Sequence, residues 1–161
     1  MNPLFIKDFI WGLLYIAIQI VLIRHLRLFD VQADIFWLYL IYIAAIRDRT
    51  YTIFITGILA FLYDAMLDTW GLYMFSYTAA LFIVHRFIPR ILDNRLLTPQ
   101  IALILFGVSI VANGIVASMT NFVDIYASEV FFWEILLGNS VYTALLGSFL
   151  YNFSSATQGN S

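Results

Sequence analysis

Six long apolar segments, separated by short clusters of charged residues, constrain this chain more than any other feature of its sequence. Of its 161 residues, 63% are hydrophobic and only 11% are charged, and the mean hydropathy is +0.90. Soluble domains carry roughly a quarter of charged residues, and disordered chains combine low hydrophobicity with high charge. The composition therefore excludes a soluble globular enzyme and a disordered chain, and predicts a protein embedded in the lipid bilayer.

The six segments have the length expected of membrane-spanning helices, which need about 20 apolar residues. The second and fourth are short and require flanking residues to cross the bilayer, and the alternating pattern of membrane β-strands is absent. We predict an all-α, polytopic membrane protein with six transmembrane helices in one domain over residues 1–153. A polar tail over 154–161 is expected to be frayed. The predicted segments are 9–23, 33–46, 51–67, 71–84, 101–119 and 131–150.

The charges in the loops predict the orientation, because basic residues collect on the cytoplasmic side. The side with both termini, the second–third loop and the fourth–fifth loop carries six basic and three acidic residues. The opposite side carries two basic and seven acidic residues, and its Arg24 and Arg27 are the only departure from the rule. We therefore expect both termini in the cytoplasm, with the first helix retained rather than removed as a signal peptide.

Several classes of function have no support in the sequence. Cysteine is absent, and 8 basic against 10 acidic residues leave no positive excess for binding nucleic acid. His25 and His85 are predicted on opposite sides of the membrane, so they cannot share a metal ion. Phosphate-binding, zinc-protease and serine-triad motifs are also missing. We expect no catalytic site, no metal and no cofactor.

The third segment carries an acid on a face of small residues. Gly57 and Ala60 precede Asp64 by seven and four positions, so the three share one helical face. Ionisable residues within membranes are usually functional, and small residues allow another backbone to approach. This face is therefore a candidate surface for a partner helix or part of a cation path, although Asp64 can instead cap a neighbouring helix. Catalysis by the pair Asp64 and Asp68 has no further residues to support it. Asp68, one turn later, is interpreted as ending the helix.

The last two segments combine small and polar residues at helical spacing. We expect close packing between these helices rather than a ligand pocket, with a hydrogen bond between two asparagines at similar depth. The residues assigned to this packing are Asn113, Gly114, Asn139, Thr143 and Gly147.

The basic residues near the second–third and fourth–fifth loops are explained by the positive-inside rule alone. A docking surface for an acidic partner is the alternative. These residues are Arg47, Arg49, Arg86, Arg90 and Arg95.

The stretch over residues 56–72 resembles the signature of the rod shape-determining MreD family. That family has small residues seven and four positions before an aspartate and a glycine seven after it, and Gly57, Ala60, Asp64 and Gly71 occupy these places. Length, six spans and short loops match over nearly the whole chain. Further similarities lie at Ala33-Asp34, which opens a helix where the family has proline before Asp or Asn, at residues 129–133, and at Gly138-Asn139.

The resemblance implies a non-enzymatic protein of the bacterial inner membrane that belongs to the cell-elongation (Rod) machinery. Such a protein binds the bitopic protein MreC, and through it is linked to MreB filaments and the Rod-complex peptidoglycan synthases. Gly57, Ala60, Asp64 and Gly71 are then the candidate partner surface. Asp68 departs from the family, which often has a small residue there.

The helices of the family are thought to resemble the substrate-binding subunit of energy-coupling-factor vitamin transporters, which supplies the alternative function. Such subunits carry an Ala-x-x-x-Ala docking pattern on the first helix. Here Ala17 is followed four residues later by Val21 and preceded by Leu13, so this pattern is absent.

The orientation is testable because the chain has no cysteine of its own. Cysteines introduced at Asn94 and Thr157 are expected to be protected from an impermeant thiol reagent in intact cells and labelled after permeabilisation. Labelling of both positions from outside would reverse the predicted topology.

Overall fold

The computed structural model describes residues 3–21, 33–88, 98–122 and 133–158, and these residues form six α-helices without any strand. The prediction of an all-α fold is confirmed. A single 3-10 turn extends the fourth helix over His85–Phe87, and a π-helical segment over Glu134–Asn139 leads into the last helix. The helices are α1 (Pro3–Val21), α2 (Ile35–Ile46), α3 (Arg49–Leu67), α4 (Leu72–Val84), α5 (Thr98–Phe122) and α6 (Ser140–Gln158).

Helix α2 lies at the centre of the bundle. It contacts α1, α3, α4 and α6, and eight of its 12 residues are buried. A helix that is apolar on all sides is stable only when it is surrounded, which explains why the most uniformly apolar helix of the chain occupies this position. The other helices pack as neighbours in sequence, with close contacts between α3 and α4, α4 and α5, and α5 and α6.

Three helices, α1, α3 and α5, are long and apolar enough to cross a membrane by length and composition. Helices α2 and α4 have 12 and 13 residues, which is about 18–20 Å at 1.5 Å per residue and less than the ~30 Å hydrocarbon core. The structure thus supports a membrane-embedded helical protein, with α2 and α4 as short as their apolar segments predicted.

The C-terminal tail differs from the prediction, because α6 continues to Gln158 and includes most of the segment expected to fray. None of the residues 154–158 is proline or glycine, so nothing in the backbone chemistry stops the helix there. The predicted boundary of the transmembrane domain at residue 153 therefore falls inside a helix.

Glycine allows close approach of α6 to two other helices. A Cβ atom at Gly147 would lie 2.7 Å from Leu38 Cδ2 of α2 and 2.7 Å from Leu105 Cδ1 of α5. Gly12 of α1 is similarly covered by the side chain of Leu59 from α3. Gly147 was predicted as a packing residue, and the structure places it at the junction of three helices.

The change Gly147→Leu is expected to lower the free energy of unfolding by about 1–3 kcal/mol, because the new side chain must displace two leucines from a packed interior. The measurement is thermal unfolding of the purified protein in detergent. Gly107→Leu is the matched control, since Gly107 is exposed and a Cβ there meets no atom within 4 Å. Equal stability of the two variants would show that the close approach at Gly147 is not required.

Candidate buried carboxylate sites

Three aspartates hold the helices together through hydrogen bonds from other parts of the chain. Asp8 and Asp64 are buried, with exposed fractions of 7% and 3%, and Asp34 is half-buried. A carboxylate removed from water is costly unless it accepts several hydrogen bonds. Each of the three meets this requirement with donors from a different set of elements.

Asp64 caps the N-terminus of α4. Its carboxylate oxygens accept hydrogen bonds from the backbone N–H of Tyr73 at 3.0 Å and of Met74 at 2.7 Å, and from the hydroxyl of Thr69. The N-cap residue itself is Gly71, which has no side chain to supply an acceptor. A residue of the preceding helix therefore performs the capping, and its negative charge also complements the positive end of the helix dipole.

The other end of α4 is also held by a charged residue of α3. The Arg49 guanidinium donates to the backbone oxygen of Phe82 at 2.9 Å and lies 4.2 Å from the centroid of the Phe82 ring. A cation at a helix C-terminus is favourable for the same electrostatic reason as an anion at the N-terminus. Helix α3 thus places a carboxylate, Asp64, and a cation, Arg49, at the two ends of its neighbour α4. The two residues are 15 positions apart in α3.

The turn between α3 and α4 is tight and uses left-handed backbone conformations. Asp68 has φ +58°, Trp70 has φ +50° and Gly71 has φ +88°. Positive φ is uncommon for a bulky residue such as Trp, and the Trp70 side chain is 93% exposed. Asp68 is the C-cap of α3, as the sequence indicated. This turn brings the start of α4 back onto the Asp64 carboxylate.

The packing of α4 against α3 separates the four residues that were predicted to form the partner surface. Ala60 and Asp64 are buried, at 0% and 3% exposure, because α4 packs directly against α3. Gly57 is partly exposed, and a Cβ atom there would meet only Thr78 Oγ1, at 4.0 Å. Gly71 is partly exposed in the turn. The four residues therefore do not present one continuous surface, and Asp64 acts in the alternative way considered above, as a cap.

Asp34 joins α2 to α4 and α6. Its side chain caps α2 by accepting from the Trp37 N–H at 2.8 Å, and it accepts a second hydrogen bond from the Tyr77 hydroxyl of α4. The backbone N–H of Asp34 donates to Thr143 Oγ1 of α6 at 2.9 Å. Thr143 was predicted to pack between helices, and here it also provides the acceptor that a buried N–H requires.

Helix α1 completes this junction through Gln19, which is 4% exposed. Its side-chain N–H donates to the Ala33 oxygen at 3.1 Å, and its side-chain oxygen accepts from the Ile35 N–H at 2.9 Å. The amide satisfies one donor and one acceptor of the backbone where α2 begins. Four helices consequently meet at Ala33-Asp34, the pair that the sequence indicated as the opening of a helix.

Asp8 forms the corresponding site at the opposite end of α2. Its carboxylate accepts from Arg47 Nε at 3.0 Å and from the Tyr51 hydroxyl at 2.9 Å, while its backbone oxygen accepts from the Tyr39 hydroxyl. The hydrogen bond to Asp8 raises the pKa of the Arg47 guanidinium. Arg47 was explained from the sequence by the positive-inside rule, with docking of an acidic partner as the alternative, and its pairing with Asp8 was not predicted.

One signal for the Asp8 and Gln19 sites was present in the sequence. The buried residues of α1 are Asp8, Gly12, Ile16 and Gln19, which follow one another at steps of four, four and three. Polar and small residues at these intervals define one face of the helix. The polar residues at both ends of this stripe, Asp8 and Gln19, are therefore buried in the bundle. The residues of α1 outside the stripe are exposed or partly exposed.

The two last helices are linked by Asn113, whose side-chain N–H donates to Ser140 Oγ at 2.9 Å. The sequence predicted a bond from Asn113 to Asn139, one residue earlier. Asn139 is the last residue of the π-helical segment, and the wider turn shifts the register in which α6 faces α5. Ser140 in turn donates to the Leu136 oxygen at 2.6 Å. A Cβ atom at Gly114 would lie 3.5 Å from Leu136 Cδ1, which is an ordinary van der Waals contact.

Within the described residues, no three His, Cys, Asp or Glu side chains gather as a metal site would require. His85 lies in the 3-10 turn after α4, whereas His25, Glu134 and residues 129–132 fall outside the described side chains. No family model matches the chain, and no curated protein or solved structure matches it either.

The change Asp64→Ala is expected to lower the free energy of unfolding by about 2 kcal/mol, the upper range for loss of a helix cap. Asp64→Asn should have a smaller effect, because the amide retains one acceptor oxygen. Thermal unfolding in detergent, followed by circular dichroism, measures both. Asp68→Asn is the control, since that side chain is exposed and asparagine tolerates its positive φ. A stability of Asp64→Ala equal to that of the control would contradict the capping role.

Proposed function

We propose that this chain is a non-enzymatic scaffold of the bacterial inner membrane, which spans the bilayer six times with both termini in the cytoplasm. It acts in the cell-elongation (Rod) machinery, binds MreC, and thereby supports lateral-wall peptidoglycan synthesis and rod shape. The similarity of residues 56–72 to the MreD signature supports this assignment. The three long apolar helices support its membrane location.

The observation that carries the proposal is the use of the buried polar groups. Asp8, Asp34 and Asp64 each accept hydrogen bonds from neighbouring elements. Acids that serve catalysis or transport are held toward a substrate or a water-filled path, whereas these acids join helices. A bundle fixed at both ends and apolar outside is suited to present a constant surface to another membrane protein.

The outer face of α3 is the surface that we assign to MreC. Phe54 and Phe61 are 65% and 58% exposed, and Gly57 lies between them on the same helix. The absence of a side chain at Gly57 leaves a notch between two phenyl rings, into which the single membrane helix of MreC can pack closely. Ala60 and Asp64 then support this face from behind, by fixing α3 to α4.

The change Gly57→Leu is expected to reduce the recovery of MreC about ten-fold, because filling the notch costs about 1–3 kcal/mol of contact energy. Stability of the protein alone should change little, since a Cβ atom at this position meets open space apart from Thr78. The measurement is co-purification of MreC from native membranes at matched expression, with thermal unfolding in parallel.

Gly107→Leu, on the exposed side of α5, is the matched control and should retain MreC. Full recovery of MreC with Gly57→Leu would remove this face from the interface. If the wild-type protein brings down transporter ATPase subunits or a bound vitamin instead of MreC, the alternative of a small-molecule binding subunit replaces the scaffold. Depletion in a rod-shaped host separates the two further, because only the scaffold predicts rounded cells.

A further inference from the structure

We infer that the cytoplasmic corner formed by the start of α3 and the end of α4 binds the headgroup of an anionic phospholipid through Arg49 and Arg86. The inference rests on the membrane orientation in the proposed function, and is independent of MreC. The first observation is proximity. Arg49 contacts both the ring and the backbone oxygen of Phe82 near the end of α4. Arg86 lies four residues after Phe82, in the 3-10 turn that directly follows this helix.

The second observation is that both cations stack on exposed aromatic rings. Arg49 lies 4.2 Å from the Phe82 centroid and Arg86 lies 5.4 Å from the Phe87 centroid. The two phenyl rings are 58% and 67% exposed. Rings in this position contact acyl chains at the level where the guanidinium groups reach the phosphates, and arginine pairs with phosphate in a bidentate manner.

The third observation is the charge balance of this corner. Both arginines are exposed, and neither forms an ion pair with a carboxylate of the described residues. Arg47 lies nearby in sequence but is paired with Asp8, so it contributes little. His85 lies in the same turn as Arg86, and the exposed Asp48 precedes Arg49 without making a side-chain capping bond. Asp48 is therefore the one described acid that opposes an anion here.

The experiment is native mass spectrometry of the purified full-length protein in neutral detergent, titrated with dioleoyl phosphatidylglycerol or dioleoyl phosphatidylcholine. We expect preferential binding of phosphatidylglycerol. Each arginine near an anionic membrane surface contributes about 1 kcal/mol, so Arg86→Gln should weaken the binding about five-fold. Asp48→Asn should strengthen it by a similar factor, because the opposing charge is removed.

Lys7→Gln is the control, since Lys7 is also exposed but belongs to α1, and it should leave the binding unchanged. Equal binding of the two lipids, or an equal loss with Lys7→Gln and Arg86→Gln, would overturn the inference. If circular dichroism shows that Arg86→Gln has lost helix content, the inference is tested by Asp48→Asn alone. It is then overturned if Asp48→Asn does not strengthen the binding of phosphatidylglycerol. A failure of MreC to co-purify overturns the proposed function and leaves this result intact.

Discussion

A carboxylate inside an apolar bundle must receive hydrogen bonds from the protein itself, and this requirement organises the structure. Asp34 is the central case, because its side chain caps α2 and accepts from Tyr77 while its backbone N–H donates to Thr143. Gln19 adds two bonds at the same place. The position of α2 among α1, α4 and α6 is therefore fixed by polar groups, and the apolar side chains fill the space that these bonds define.

Helix α4 illustrates the same constraint at its two ends. A helix leaves several N–H and C=O groups without partners, and lipid offers none. Asp64 satisfies the N–H groups at the start, and Arg49 satisfies an oxygen near the end. Both residues belong to α3, so one helix supports its neighbour at each terminus. The same arrangement withdraws Asp64 from the outer surface, whereas Phe54 and Phe61 on either side of Gly57 remain exposed.

The sequence predicted the helices well because each corresponds to one apolar run. It also identified Asp64 and Gly147 as special, since small and acidic residues are conspicuous at helical spacing in a membrane segment. It did not reveal how Asp8 and Asp34 join the helices, because Arg47 lies 39 residues from Asp8 and Thr143 lies 109 residues from Asp34. Helical spacing marks the face of α1 on which Asp8 lies, but it does not identify such distant partners. The shift from Asn139 to Ser140 as the partner of Asn113 depends on a π-helical segment that has no periodic signal.

The hydrogen bond between Asp34 and Thr143 also bears on the order in which the helices assemble. A chain is synthesised from its N-terminus at about 5–20 residues per second, so α2 enters the membrane well before α6 exists. The cap from Asp64 to α4 spans only 10 residues and the one from Arg49 spans 33, so the α3–α4 pair forms early. The Asp34 N–H receives its partner only when the last helix arrives. A chain that stops short of α6 therefore lacks the Thr143 hydroxyl that accepts from this N–H beside the central helix.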